Sequence, residues 1–555
     1  MSAPDVPAMS RRQVLEALSG LLLGMFVSML SATVVSTALP VIVHDLGGDQ
    51  AAFTWVVTAT LLTTAISTPI WGKLADLLNR KVLIQVALAI FVLATAAAGL
   101  AQDASMLIAF RAVQGIGAGG LAALSQIIMA DIISPRERGR YMGLFGAVMA
   151  LATIGGPLLG GVITDAFGWR WNFYVAIPFA IAALIVLQTT LHIARRPRKV
   201  RIDVVGAVLL SVAVSLLLVW VTGAGRDYDW WSLQTVLMVG GAILAAVLFV
   251  VAELRSAEPL VPLRLFRNRT FTLSVLASIA TGIAMFGASV FLSQYMQMAR
   301  GATPTEAGLM TIPMIGGLLV ASIVVGQLIS RFGRWKGYLV VGSILLTLGL
   351  VLLTTLHYDT NFLLVSLYMF LMGSGVGMTM QNLVLIVQNT ADPSEIGVAS
   401  SGVTFFRSLG GTVGVAVMGA ALAARVVDLF AANKTALMEA IASLGSQGAD
   451  VAAQLQSGTL PAVSTLPHAV RIIVEDVYAQ GISHSFLIAV PFAVLSFVAI
   501  LFLPNIPLTR MTTSERVTAG EADLATVSVP AGMEAATGSI ATIDPDATTE
   551  GRRDA

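Results

Sequence analysis

What most constrains this chain is the recurrence of apolar runs long enough to cross a lipid bilayer. The first extends from Leu18 to Val43 without a charged residue. A bilayer core takes about 20 apolar residues of helix. Fourteen such runs can be read, centred near residues 28, 63, 91, 117, 151, 181, 212, 244, 282, 317, 347, 373, 410 and 493. Hydrocarbon offers no water to backbone N–H and C=O groups, so a run of this length must close its hydrogen bonds within itself, as a helix does. The expected fold class is therefore an all-α polytopic membrane protein. Composition agrees: charged residues are 11% of the 555, against about 25% in a soluble protein, too few to cover a water-facing surface.

Arginine and lysine then set the orientation expected of the spans. Arg11 and Arg12 precede the first run, Lys73, Arg80 and Lys81 follow the second, and Arg136, Arg138 and Arg140 follow the fourth. Further basic groups follow the sixth, eighth and tenth runs, ending with Arg331, Arg334 and Lys336. All of these loops fall on one side. The opposite loops hold isolated charges such as Arg170, Arg226 and Arg300. Both termini are thus expected to be cytoplasmic, in the cell membrane.

Several function classes lose support at this stage. A net charge of +1 gives no basic field for nucleic acid. The chain has no cysteine and five scattered histidines, so no metal cluster is visible and no cofactor is implied. No GxxxxGK[ST] loop is present, so no P-loop binds a nucleotide. The runs show no paired carboxylates and no nucleophile beside a base, so the chain does not read as an enzyme.

Three pairs of segments recur in one order. "GKLADLLNRK" (72–81) parallels "GQLISRFGRWK" (326–336) at an offset of 254. "GIGAG" (115–119) parallels "GSGVG" (373–377), and "SPRERG" (134–139) parallels "DPSEIG" (392–397), both at 258. These imply two related six-helix halves, as in many secondary transporters. The expected division is a cytoplasmic N-terminus (1–15), a first half (16–193), two inserted spans with basic flanks (194–268) and a second half (269–505). Within the second half, residues 425–482 read as an extracellular segment containing an amphipathic helix, from "ARVVDLFAANKTALMEAIASL". Residues 506–555 read as a disordered cytoplasmic tail, poor in large apolar side chains.

"GKLADLLNRK", "FRAVQGIGAGG", "IGGPLLGG" and "FGWRWNFYVAIP" together resemble the motif set of the major facilitator superfamily. "FLSQYMQMARGATPTEAGLMTIP" and "FFRSLGGTVG" are similar to its fourteen-span drug:proton antiporter branch. The resemblance covers residues 15–505. It implies a multidrug efflux transporter working by alternating access and coupled to proton influx. Its partners would be a small amphipathic substrate, protons and the lipid bilayer, with the chain acting as a monomer.

The resemblance assigns roles to particular residues. Gly72, Asp76, Arg80 and Lys81 would form a latch between the halves, made in the outward-facing state. Arg111 would serve proton movement and cavity electrostatics, with Gln114 on the same helical face three residues on. The repeat places Met369 at the position of Arg111, so the fold itself does not need the charge. Gly155, Gly156, Pro157, Gly160 and Gly161 match the antiporter signature. Glycine and proline there are expected to kink the fifth span and pack it tightly against the other half. Arg407 is the second buried cation, expected to line the cavity or to bond carbonyls.

One departure stands out. Where the branch carries an aspartate and an asparagine in the first span, "LSATVVSTALP" has Ser31 and Ser36. Thr33, Ser36 and Thr37 share a helical face, and they are expected to form a hydroxyl cavity wall or to bond back to their own helix. A first span with hydroxyls and no carboxylate offers no counter-charge to a lipophilic cation. An exporter of lipid or another hydrophobic metabolite, weakly coupled to protons, is therefore the alternative reading.

Overall fold

The computed structural model describes residues 11–509, apart from short breaks, the longest being 192–202 and 453–462; residues 135–165 are described only at scattered positions. Among the described residues the regular structure is helical, apart from one isolated bridge between Ala224 and Tyr228. Helices α1 (Arg11–Asp45), α2 (Gln50–Leu77), α3 (Arg80–Gly99), α4 (Ala104–Ile132) and α5 (Trp171–Thr190) pack with one another. So do α8 (Arg269–Met298), α9 (Ile312–Phe332), α10 (Lys336–Leu353), α11 (Phe362–Thr390), α12 (Ile396–Ala432) and α14 (His468–Leu501). Between these two groups in the chain, α6 (Val204–Gly223) and α7 (Leu233–Arg255) pair with each other.

Twelve described helices are long and apolar enough to cross a membrane. The 28-residue α2 packs among them. The run expected near residue 151 falls on the sparsely described stretch, so the described residues do not complete a count of fourteen.

Small residues let the helices approach, and they do so twice in the same way. A Cβ on Gly115 or Gly119 of α4 would strike the backbone of α2 at Thr60 or Thr64, while one on Gly117 would strike α3 at Ala87 and Phe91. In α11, Gly373 and Gly377 stand against Met314 and Leu318 at α9, and Gly375 against Gly342 and Leu346 of α10. Each α11 glycine is the α4 glycine shifted by the repeat offset, and each touches the corresponding helix. Backbone-to-backbone contact of this kind is how helices associate where lipid supplies no hydrophobic drive.

Helix α6 crosses the seam between the groups. Leu210, Val214 and Leu218 cluster with Phe405 of α12, and Leu62, Ile66 and Ile70 of α2 pack against that cluster. Its partner α7 keeps Leu233, Leu237, Ile243 and Leu244 exposed, as a lipid-facing surface should. Helix α12 has 37 residues, about 55 Å at 1.5 Å per residue, well beyond a core about 30 Å thick. It ends at Asn433, whose amide donates to Leu429 O at 2.9 Å. The chain then continues as α13 (Lys434–Ala442). Leu437, Ala440 and Ile441 pack against a cluster containing Val470 and Val474 of α14, so the described part of 425–482 is helical and packed. Past α14, Ile506 O accepts from Trp335 Nε1 at 2.7 Å, and Pro507 O from Asn389 Nδ2 at 3.2 Å. Residues 506–509 are thus tied to α10 and α11; residues 510–555, expected to be a disordered tail, lie outside the described residues.

Candidate functional site

The two helix groups meet at the basic face. Asp76 is the penultimate residue of α2, and its carboxylate reaches across to the first turn of α12. Oδ1 accepts from Gly397 N and Oδ2 from Val398 N, both at 2.9 Å. These amides have no partner within their own helix, and they sit at the positive end of its dipole, so a carboxylate suits them twice over. The approach depends on glycine on both sides. A Cβ on Gly72 would overlap Ser401, and one on Gly397 would overlap Asp76 Oδ1.

Arg80, the first residue of α3, braces the acid from behind. Its Nη2 lies 3.4 Å from Asp76 Oδ1, its Nη1 pairs with Asp131 at the end of α4, and its Nε donates to Ala75 O at 2.8 Å. All three charged side chains are at least nine-tenths buried. Of the four residues expected in the latch, the structure brings Gly72, Asp76 and Arg80 together. Lys81 stands apart: its Nζ donates to Gln188 O of α5 at 2.7 Å.

Two further contacts at this face escaped the sequence reading. Gln388 of α11 donates through Nε2 to Ser400 Oγ at 2.9 Å and to Gln126 O of α4 at 3.4 Å. Arg264 donates through Nε to Glu395 Oε1 at 2.8 Å, just before α12 begins. The repeat "DPSEIG" marks this corner, but Glu395 and Arg264 lie 131 residues apart and the Gln126 acceptor is a backbone carbonyl, so neither pairing leaves a local signal.

A second polar centre lies inside the first helix group. Arg111 is 4% exposed, Gln114 1% and Ser31 1%. Arg111 Nη1 donates to Gln114 Oε1 at 2.7 Å, and Nε to Val56 O at 3.3 Å. Gln114 Nε2 donates in turn to Thr95 Oγ1 at 2.7 Å and Ser31 Oγ at 3.0 Å. Residues of α1, α2, α3 and α4 therefore share one network, and the hydroxyl of Ser31 is its member on α1. Arg111 neither reaches an outer interface nor meets a carboxylate among the described residues.

The expected hydroxyl wall divides. Thr33 bonds back to Met29 O at 3.0 Å and across to Ala152 O at 2.9 Å, and it fills the space beside Gly156. The side chains of Ser36 and Thr37 lie outside the described residues. For the antiporter-type glycines the nearest contacts described lie within their own group. Gly156 and Gly160 stand against Thr33 and Val34 of α1, in their own group, and Gly155 meets nothing within 4 Å. The reason is the close approach of α1: the Thr33 side chain and the Val34 backbone carbonyl leave room only for glycine opposite. Pro157 and Gly161 lie outside the described residues.

Arg407 of α12 is 4% exposed, and its Nη1 donates to Met380 O of α11 at 3.2 Å. The carbonyl it finds belongs to the neighbouring helix rather than its own. Among the described residues no group of His, Asp and Glu could hold a metal.

Comparison with known proteins agrees with this architecture. A model of the Major Facilitator Superfamily matches residues 21–415. The multidrug transporter protein MdtP of Bacillus subtilis is 37% identical over 447 residues, covering 80% of this chain and 81% of that protein. Multidrug resistance protein 3 of the same organism is 32% identical over 498 residues, 87% and 94% of the two chains. An uncharacterized MFS-type transporter of Mycobacterium tuberculosis is 37% identical over 494 residues, 88% of this chain and 69% of that one. Two solved structures share the fold at 14% identity and a TM-score of 0.57. The human organic anion transporter MFSD10 matches 86% of this chain and 99% of its own, and the proton:xylose symporter XylE 91% and 99%. With a helical membrane architecture, repeat-related glycine contacts and these relatives, the chain belongs to the Major Facilitator Superfamily, and it is a multi-pass membrane transporter rather than an enzyme.

Proposed function

We propose that this transporter is a secondary active exporter of amphipathic small molecules that works by alternating access, coupled to proton influx. Residues 16–193 and 269–505 are the two moving halves, and residues 194–268 carry the additional pair α6 and α7. Both termini are cytoplasmic, in the cell membrane. The observation that carries this reading is the single carboxylate of Asp76 bonded to two backbone amides of the opposite helix group. Such a contact is strong when aligned and is lost when α12 tilts away from α2. The basic face is closed by it, as an outward-facing state requires. The Bacillus relatives named for multidrug transport and multidrug resistance support the substrate class.

Purified protein in proteoliposomes with an imposed pH gradient tests the reading. Uptake of labelled neutral, anionic and cationic amphiphiles into inside-out vesicles should require the gradient and collapse with an uncoupler. Uptake indifferent to the gradient would contradict proton coupling, and no uptake of any amphiphile would contradict the exporter reading.

A further inference from the structure

Arg407 is a buried charge with too few partners. A guanidinium carries five N–H donors. Among the described residues the side chain's one acceptor is the Met380 carbonyl, and no carboxylate lies within ion-pair distance. An unpaired buried ion is expensive, and the family's fold does not require one here, since the repeat-related position in the first half is Met149. A charge kept under these conditions calls for a partner supplied from outside the chain.

The surroundings describe that partner. On α8, Ser278, Gly282 and Met285 share one face, by i, i+4 and i+7 spacing. Gly282 abuts the Arg407 backbone and the first part of its side chain, which places that face against the arginine. Ser278 is fully buried, and its Oγ has no hydrogen-bond partner. Gln381, next to Met380, is 6% exposed, and its Oε1 is likewise unpartnered. Buried polar groups are ordinarily satisfied, so unsatisfied ones on the two helices that flank Arg407, whose guanidinium has a single carbonyl partner, mark a polar subsite.

The same helices also carry methionines. Met380 and Met418 belong to a buried cluster, together with Met296, Met369 and Met372, and Met285 packs against it. Met418 lies on the same face of α12 as Arg407, eleven residues on, about 16 Å along the axis at 1.5 Å per residue. Methionine is unbranched and polarizable, and it adapts to irregular apolar partners.

We propose that this is an amphiphile site: Arg407, Ser278 and Gln381 take a carboxylate-type anionic head, and Met285, Met380 and Met418 take the apolar body. The guanidinium fork matches a carboxylate with two parallel N–H···O bonds. The proposal rests on the exporter reading and names the class of substrate held by the second half.

The test uses the full chain in lipid nanodiscs with an 11-carbon dansylamino fatty acid and its carboxamide, titrated by fluorescence. The wild type should bind the acid about tenfold or more tightly than the carboxamide, a difference of 1.4 kcal/mol or above. Arg407→Gln should abolish that preference and leave carboxamide affinity within about twofold. Arg407→Lys should retain part of the preference, since the charge stays and the fork is lost, and Ser278→Ala should reduce it. Equal wild-type affinities for the two probes, or an acid preference that survives Arg407→Gln, would overturn the proposal. If Arg407→Gln does not fold, an acid preference unchanged in both Arg407→Lys and Ser278→Ala overturns it equally. Carboxamide uptake into vesicles, measured in parallel, reports on the exporter reading by itself.

Discussion

Replacing Asp76 by asparagine removes a charge while keeping the shape of the side chain. In the structure the carboxylate accepts two backbone hydrogen bonds from α12 and lies beside Arg80. Asparagine has one acceptor oxygen, so one amide would face an NH₂ group, and the remaining bond would lose its charge assistance. Hydrogen bonds to charged groups contribute about 1.5–3 kcal/mol each and neutral ones about 1. The closed latch should therefore weaken by about 2–5 kcal/mol, a shift of roughly 30- to 5000-fold in its closed-to-open ratio. Arg80 keeps its pairing with Asp131, so α3 and α4 should stay in place and the fold should survive. The assay is cysteine labelling, which the chain suits because it has no native cysteine. Ser401→Cys sits under Gly72 in the closed interface. An impermeant maleimide applied at the basic face should label it at least about 30-fold faster with Asp76→Asn than without, if opening is in fast equilibrium. Equal labelling rates, with both proteins folded, would refute the assignment of Asp76 as the group that holds the face shut.

Gly397→Ala places a methyl against Asp76 Oδ1 and the Gly72 carbonyl, so transport should fall by tenfold or more at normal membrane abundance; wild-type transport would show the interface to be looser than described. Arg111→Ala empties the centre of the Gln114, Thr95 and Ser31 network, and proton-coupled uptake should be lost while the protein still reaches the membrane. Ser31→Asp puts a carboxylate where Gln114 now donates to a hydroxyl; export of monovalent cationic dyes, weak in the wild type, should rise, and strong wild-type efflux of such dyes unaffected by the substitution would count against the account. Cysteines at Ala194 and Ser256 should be labelled from the cytoplasm alone and one at Gly448 from outside alone, as read out by impermeant reagents on whole cells and inverted vesicles.

Much of the architecture was legible because it depends on residue types with few alternatives. Apolar length forces helices, and the paired glycines at 115–119 and 373–377 disclosed both the repeat and the helices that touch there. Asp76 and Arg80 were legible as a charged cluster whose acid could pair with its cations or cap a neighbouring helix N-terminus, but which helix supplies the partner was not. It is a pair of backbone amides, and any two residues could have supplied them. The same holds for Arg407, whose acceptor is a carbonyl on another helix. Thr33 illustrates a subtler loss: its spacing with Ser36 and Thr37 suggested a shared polar wall. Only the placement of Gly156 shows that the hydroxyl is used in packing between neighbouring helices. Thr95 carried no sequence signal, since a threonine in an apolar run usually bonds to its own helix, as this one also does at Phe91 O, 2.6 Å away. Lys81 looked like a latch residue because of its neighbours, and one residue of helical rotation sends it to Gln188 instead.

Alternating access is the central claim, and a distance across the basic face tests it most directly. Leu78 and Phe332 are 42% and 55% exposed at the ends of α2 and α9, and they are related by the repeat offset of 254. Spin labels on cysteines at these positions, in nanodiscs, should give two distance populations by electron double resonance. The shorter population should dominate in the wild type, the longer should grow in Asp76→Asn, and substrate or acidification should change their ratio. A single unchanged distance in every condition, in protein that still transports, would contradict the account.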